Sequence, residues 1–295
     1  MTDLSKISQN AQRPTIARLA PASEGAANDA GFLITSNAAS PVIVHVPHAG
    51  LLWPDDSTAI PDYPRLASEI TLLADLGIDK IADIIDTLLA ETGDPIPNRF
   101  QSRLTRVAMD PERLDNDTEE MNQAGMGVVY THTHTGKPLY STGLPVTDAA
   151  RRKSLWYEPY SQALATLVDN AVARHGQCLI LDLHSYSLKP LAHELHKRNA
   201  RPEICLGYEP YQDPGIEMVE QAFAHHGYIT ARNQPYQGSY VPLARWRHDS
   251  NVASLMVEIR KDQYLDQSKI HHGKVIRLAA AVADLIRPWR GITTQ

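Results

Sequence analysis

QCLILDLHS, residues 177–185, is apolar from Cys178 to Leu183 except at Asp182, and then ends on His184 and Ser185. A run without a polar face is the pattern of a central strand covered on both sides, whereas a half-exposed strand alternates. PVIVHVP (41–47) is a second short strand with turn signals on both sides, and ASLMVEIR (253–260) a third. A further strand is expected near 228–232, and GVVYTHTHTGKPLYSTG (127–143) reads as short β-type runs among many turn residues.

Between these strands lie long segments of helical periodicity. RLASEITLLADLGIDKIADIIDTLLAETG (65–93) carries Leu72, Leu76 and Ile81 at helical spacing, and Gly77 makes two helices as reasonable as one. A helix over 147–175 is expected to open on Thr147 as its cap and to end near Gly176. Others are expected near 214–226 and 268–287. Strands alternating with helices predict a three-layer α/β/α domain with a mostly parallel or mixed sheet over residues 29–295. Residues 1–28, rich in Ser, Ala, Pro and Asn, read as an N-terminal extension. In such sheets, ligands gather beyond the carboxyl ends of the strands.

Two strands end in the same chemistry, VHVPH and LDLHS. If they are neighbours, His48 and His184 leave the sheet at one edge. Zinc commonly takes two imidazoles and a carboxylate, leaving a fourth position for water. Asp75, Asp79 and Asp182 are the candidate acids near such a site; Asp182 could instead hold an imidazole N–H from outside. His45 points into the sheet layers and reads as a packed or supporting residue. His132 and His134 share one face of an extended segment and suit either a metal or a solvent-washed loop. His271 and His272 read as surface or capping residues. Glu258, set among Leu, Met, Val and Ile, is costly to ionise without a partner. It is either paired with an arginine such as Arg260 or serves as a general base.

Arg103, Arg106, Arg113, Arg151, Arg152, Arg245 and Arg247 lie in segments with Tyr, Trp and Pro, and a guanidinium fork suits a carboxylate. The formal net charge is −6, which gives no electrostatic reason to expect nucleic acid or an anionic membrane. No apolar run approaches a membrane span, and the first ten residues do not read as a secretory signal. Cys178 and Cys205 lie in apolar runs and read as free buried thiols, which fits a reducing cytoplasm. Oligomeric state is not legible.

With these residues placed, the chain resembles the N-formylglutamate amidohydrolase family. The likeness rests on an ordered set: PHAG (47–50), LLADLGID (72–79), TRVAMDPER (105–113), TGKPLY (135–140), Arg152 with WYEPY (156–160), DLHS (182–185), NQPYQGSY (233–240) and LMVEIR (255–260). It departs where the family often has Asn and this chain has Glu112. It departs again at Ser161, where histidine is common, and at Gly238-Ser239, where two glycines are. The resemblance implies a fold similar to zinc carboxypeptidases and aspartoacylase-like deacylases. It implies one zinc ion per chain on His48, Asp75 and His184, with Glu258 and Arg106 catalytic and Asp182 and Asp110 supporting the ligands. Arg113, Arg152, Asn233 and Arg103 become substrate-binding candidates. The implied reaction is hydrolysis of N-formyl-L-glutamate, or a close N-acyl acidic amino acid, by metal-activated water with Glu258 as base. A related hydrolase of another N-acyl or N-formimidoyl amino acid or small peptide is the nearest alternative. A metal-binding regulatory protein with a decayed site is the alternative of a different class. Ser185 lacks the glycine-framed elbow of a serine hydrolase.

Overall fold

The computed structural model describes residues 16–19, 31–55, 59, 61–194, 197, 200–212, 214–267 and 269–289. Seven strands form one sheet: β1 (Phe32–Thr35), β2 (Val42–Val46), β3 (Asn98–Ser102), β4 (Cys178–Tyr186), β5 (Ile204–Gly207), β6 (Thr230–Arg232) and β7 (Val252–Arg260). Their spatial order is β1-β3-β2-β4-β7-β5-β6. β3, β2, β4 and β7 run parallel; β1 and β5 are antiparallel to their inner neighbours, so the sheet is mixed. QCLILDLHS is indeed central, and every residue of β4 is buried.

Alternation along β4 explains that burial. Leu179, Leu181 and Leu183 face a cluster built from helices α2 (Ile78–Glu91), α5 (Ile216–His225) and α6 (His272–Ile286). Cys178 and Ile180 face the opposite layer, against Leu164 and Val168 of α4 (Glu158–His175). Each such leucine contributes about 1.5–3 kcal/mol when withdrawn from water. A third cluster packs Leu66, Ile70 and Leu73 of α1 (Tyr63–Leu73) under the loops that carry Met121, Met126 and Tyr130.

Several expectations are refined. Segment 65–93 is two helices, because Gly77 adopts φ +85° and the chain turns over 74–77. Helix α3 (Val146–Arg152) passes through a π-helical turn at Lys153–Tyr157 into α4. Pro145, not Thr147, holds the cap position; proline fits a helix start because the missing N–H is unused there. The helix ends at Gly176 as expected, with φ +73°. Segment 127–143 forms only isolated bridges, His132 to Pro138 and Tyr140 to Pro61, since its turn residues prevent a ladder. Of the expected N-terminal extension, residues 1–15 and 20–28 lie outside the described residues. Arg18–Leu19 pairs in parallel with Trp53–Pro54. Among the described residues no helix is long and apolar enough to cross a membrane.

Candidate active site

Two local features bring the carboxyl end of β2 to the site. Val46 is the last paired residue, and the chain then turns through Pro47 and His48 towards Gly50. Any Cβ at Gly50 would lie 2.4 Å from the Leu104 carbonyl oxygen, so only glycine lets this turn pack on segment 103–104. On the other side, the Asp75 N–H donates to the His48 carbonyl at 3.0 Å, and Lys261 Nζ and Tyr264 OH donate to the Ala74 and Leu76 carbonyls at 2.8 Å each. The α1–α2 turn is thereby fixed over the strand ends.

β2 and β4 are direct neighbours, and His48 and His184 leave at the same edge. Their Nδ1 atoms lie 3.2 Å apart. Asp75 Oδ2 is 3.3 Å from His184 Nδ1 and 3.8 Å from His48 Nδ1, and it makes no hydrogen bond. Asp75 Oδ1 instead accepts from Ser185 Oγ at 3.0 Å. Behind the rings, His48 Nε2 meets Asp110 Oδ1 at 2.9 Å and His184 Nε2 lies 3.1 Å from Asp182 Oδ1. A proton at His48 Nε2 facing Asp110 leaves the His48 Nδ1 lone pair converging with His184 Nδ1 and Asp75 Oδ2 on one point, while His184 Nε2 makes no hydrogen bond. Donors around tetrahedral zinc sit roughly 3.3 Å apart, given metal–ligand bonds of about 2.0–2.2 Å. The three separations fit that spacing, and outer carboxylates on ligating imidazoles are the usual arrangement.

The electrostatics agree. Burial, reinforced by Arg106, lowers the His48 pKa and favours the neutral imidazole. Burial alone would raise Asp75, but the His184 ring beside it, then His48 and Lys261, bring it down to about 2. His184 is pushed well above the ordinary imidazole value: burial opposes this, but the Glu112 and Asp182 carboxylates outweigh it. The carboxylates around His184 thus favour its charged form in the metal-free protein.

Glu258 stands in register with His184 on the adjacent parallel strand, so both project to the same face. Its Oε2 is buried and makes no hydrogen bond. Burial pushes it up to about 8, with Asp75 and Glu112 adding to the shift and His184 and Arg106 opposing it. Arg260 pairs with Asp262 at 2.7 Å, so the arginine partner considered for Glu258 is otherwise engaged. Glu258, His48, His184, Arg106, Arg113 and Lys261 all line one cavity of about 830 Å³.

A sequence profile of the family described as N-formylglutamate amidohydrolase matches residues 40–265, well over half of the chain. This chain is a member of the N-formylglutamate amidohydrolase family. Its fold is similar to the crystal structure of the N-formylglutamate amidohydrolase from Ralstonia eutropha JMP134. The TM-score is 0.70 at 23% identity, over 87% of this chain and 96% of that one. A gene product of Agrobacterium tumefaciens is similar at a TM-score of 0.63 and 16% identity, over 87% and 93% of the two chains. At such identities these likenesses speak to the fold. Comparison with curated proteins gives no match.

Within this family member, Asp110 is the hub of the supporting shell. It accepts from Arg106 Nη2 at 2.8 Å and Tyr130 OH at 2.7 Å, with Arg113 Nε at 3.4 Å. Burial alone would raise its pKa, but Arg106, then His48 and Arg113, hold it well below the usual carboxylate range. Asp182 joins His184 to His45, whose Nδ1 it meets at 2.9 Å, and His45 Nε2 meets Tyr160 OH at 2.7 Å. His45 is thus the packed neighbour behind the site. Asn233 lines the cavity, but its Oδ1 accepts from the Tyr208 and Gly238 N–H groups. Arg152 is fully buried, stacked over Trp53 at 4.9 Å and donating to Tyr140 OH, and neither it nor Arg103 lines that cavity. Asp79 sits in the first turn of α2 beside Lys80 at 3.6 Å. His134 pairs with Glu69 at 2.7 Å and His132 with Thr131 at 2.9 Å. Among the described residues, neither belongs to a group of potential ligands, whereas His48, Glu112 and His184 form one. His271 caps α6 by accepting from the Lys274 N–H.

In the sequence Glu112 stands out as a departure that could alter pocket charge or substrate choice, and Ser185 only as a serine without a nucleophile elbow; Lys261, Tyr130 and His193 carry no signal there. Glu112 was visible as a departure from the family pattern, and its Oε1 and Oε2 lie 3.4 and 3.5 Å from His184 and His48 Nε2. His193 lines the cavity, and burial pushes it down to about 4. No periodic or strand signal marks it.

Proposed function

We propose that this protein is a zinc-dependent amidohydrolase that cleaves the N-acyl bond of a small N-acyl amino acid, N-formyl derivatives foremost. The observation that carries the reading is the convergence of His48 Nδ1, His184 Nδ1 and the unpartnered Asp75 Oδ2, with Glu258 in register beside His184. Membership of the N-formylglutamate amidohydrolase family supports the reaction type.

Zinc held by His48, Asp75 and His184 would supply Lewis acidity towards the acyl oxygen and towards water. Asp110 fixes the tautomer and direction of the His48 imidazole, and Asp182 lies 3.1 Å from His184 Nε2. Arg106, anchored on Asp110 and lining the cavity, is placed to stabilise negative charge on the acyl oxygen. Glu258 takes a proton from the attacking water and returns it to the departing amine nitrogen. A carboxylate held near neutrality suits both transfers. Arg113 lines the cavity and is the candidate to receive the substrate carboxylate. Products are the free acid, formate for a formyl group, and the amino acid.

Formate release from N-formyl amino acids, lost on chelation and restored by zinc, is the expected result. Full activity in metal-free protein contradicts the zinc role, and no release from any N-acyl amino acid contradicts the reaction.

A further inference from the structure

Beyond His184 the chain leaves β4 at Tyr186, and its next residues supply Ser187, Leu191, His193 and Glu194 to the wall of the 830 Å³ cavity. This stretch is pinned. Arg201 lies over the Tyr186 ring at 4.8 Å and donates from Nε and Nη2 to the Ser187 carbonyl at 3.0 and 2.6 Å. Its Nη1 reaches Glu194 Oε2 at 2.6 Å. Glu194 Oε1 accepts from the Leu191 N–H at 2.7 Å, and Leu191 packs against the cluster that holds Met121 and Tyr130. Glu194 is therefore committed to Arg201 and to its own turn, and His193, one position before it, is held in the cavity wall.

His193 Nδ1 is buried and makes no hydrogen bond. A buried polar group without a partner is costly and calls for an explanation. Among the described residues His193 belongs to no group of potential metal ligands, so the proposed zinc site does not supply the partner. The charges of the cavity point to another. Arg106 and Arg113 set two guanidinium groups against the one Asp110 carboxylate, at 2.8 and 3.4 Å, with Glu119 further off at 3.8 Å. That balance suits one more carboxylate, brought by a substrate. Burial and then Arg106 push His193 down to about 4 against the pull of Glu194, so its ring is neutral and has one N–H to give. A neutral N–H adds a directed bond to an anionic oxygen without setting a third cation beside the arginines.

We infer that His193 is a substrate-binding residue whose Nδ1–H donates to a carboxylate oxygen of the N-acyl amino acid, beside Arg113. The inference rests on the proposed N-acyl amino acid hydrolysis.

The test compares zinc-loaded wild type, His193→Leu and His193→Asn on N-formyl-L-glutamate, N-formyl-L-glutamine and N-formyl-γ-aminobutyrate. The glutamine derivative lacks the side-chain carboxylate, and the aminobutyrate lacks the α-carboxylate. Loss of a hydrogen bond to a charged group should lower kcat/KM for N-formyl-L-glutamate by roughly 10- to 100-fold in His193→Leu, chiefly through KM. The asparagine amide offers an N–H near the place of Nδ1, so His193→Asn should recover part of the loss. The penalty of His193→Leu should nearly vanish for the analogue that lacks the contacted carboxylate. A residue that merely holds the loop would penalise all three substrates alike. An analogue too slow to assay is read by its inhibition constant, and His193→Ala stands in if the leucine variant does not fold. Equal penalties on all three, or an unchanged kcat/KM, overturn the inference. If wild type cleaves none of them, the hydrolytic reading fails, and calorimetric binding of L-glutamate to the zinc-loaded protein then decides the role of His193. Weaker binding by His193→Leu than by wild type supports the inference, and equal or absent binding overturns it.

Discussion

The backbone N–H of Asp75 donates to the carbonyl of His48 at 3.0 Å, so two proposed ligands, 27 positions apart in the chain (75 − 48), are tied together through the main chain. The proposed cation site is therefore built by backbone geometry before any side chain turns. Asp79, one helical turn further on, is outside this clamp and pairs with Lys80.

Asp75→Ala should accordingly lower zinc affinity by more than the roughly 10–100-fold typical of losing an outer partner. Asp79→Ala should leave affinity unchanged. Competition against a chromogenic chelator ranks the two, and the reverse order would place the ligand on α2.

Gly77 makes the turn that presents Asp75. At φ +85° any Cβ is strained, and one built there also meets Ile270 Cδ1 at 3.1 Å. Gly77→Ala should cost about 1–2 kcal/mol of stability and weaken zinc binding in the same protein. Urea unfolding of metal-free protein measures the first effect and chelator competition the second. Unchanged zinc affinity would separate the turn from the site.

That turn also shows where the sequence was readable. Gly77 marked a possible break, but only the fold decides between one helix and two, and with it between Asp75 and Asp79. The strand QCLILDLHS was legible because burial on both faces removes polar alternation. Neighbouring strands then made the His48–His184 pairing a matter of topology. Segment 127–143 was not legible as loop, because its Val, Tyr and Thr content suits strands while its Gly and Pro positions prevent pairing. Glu112 appeared only as an odd residue in a familiar pattern; its closeness to both imidazoles depends on the loop fold around Asp110. Arg152 looked like a binding residue, yet packing against Trp53 and Tyr140 seats it away from the cavity.

Glu258 should leave a signature in the pH dependence of metal-free protein. Its pKa rises from the ordinary value of 4.5 to about 8 on folding, chiefly through burial. The folded state therefore binds this proton more tightly than the unfolded chain. The resulting stability is fully present below about 4.5 and lost as pH rises through about 8. Urea midpoints of wild type and Glu258→Gln, both metal-free, should diverge across that window, with wild type falling more steeply. Parallel profiles would show that Glu258 titrates as an ordinary carboxylate.

The central claim is that Glu258 moves the proton beside a zinc ion held by His48, Asp75 and His184. The measurement is kcat of Glu258→Gln on the best N-formyl substrate, with zinc content determined on the same preparation. The amide keeps the size of the side chain and removes its basicity. A fall of about 10²–10⁴ in kcat with zinc content unchanged is the predicted result. Near-normal kcat at full zinc content would contradict the account.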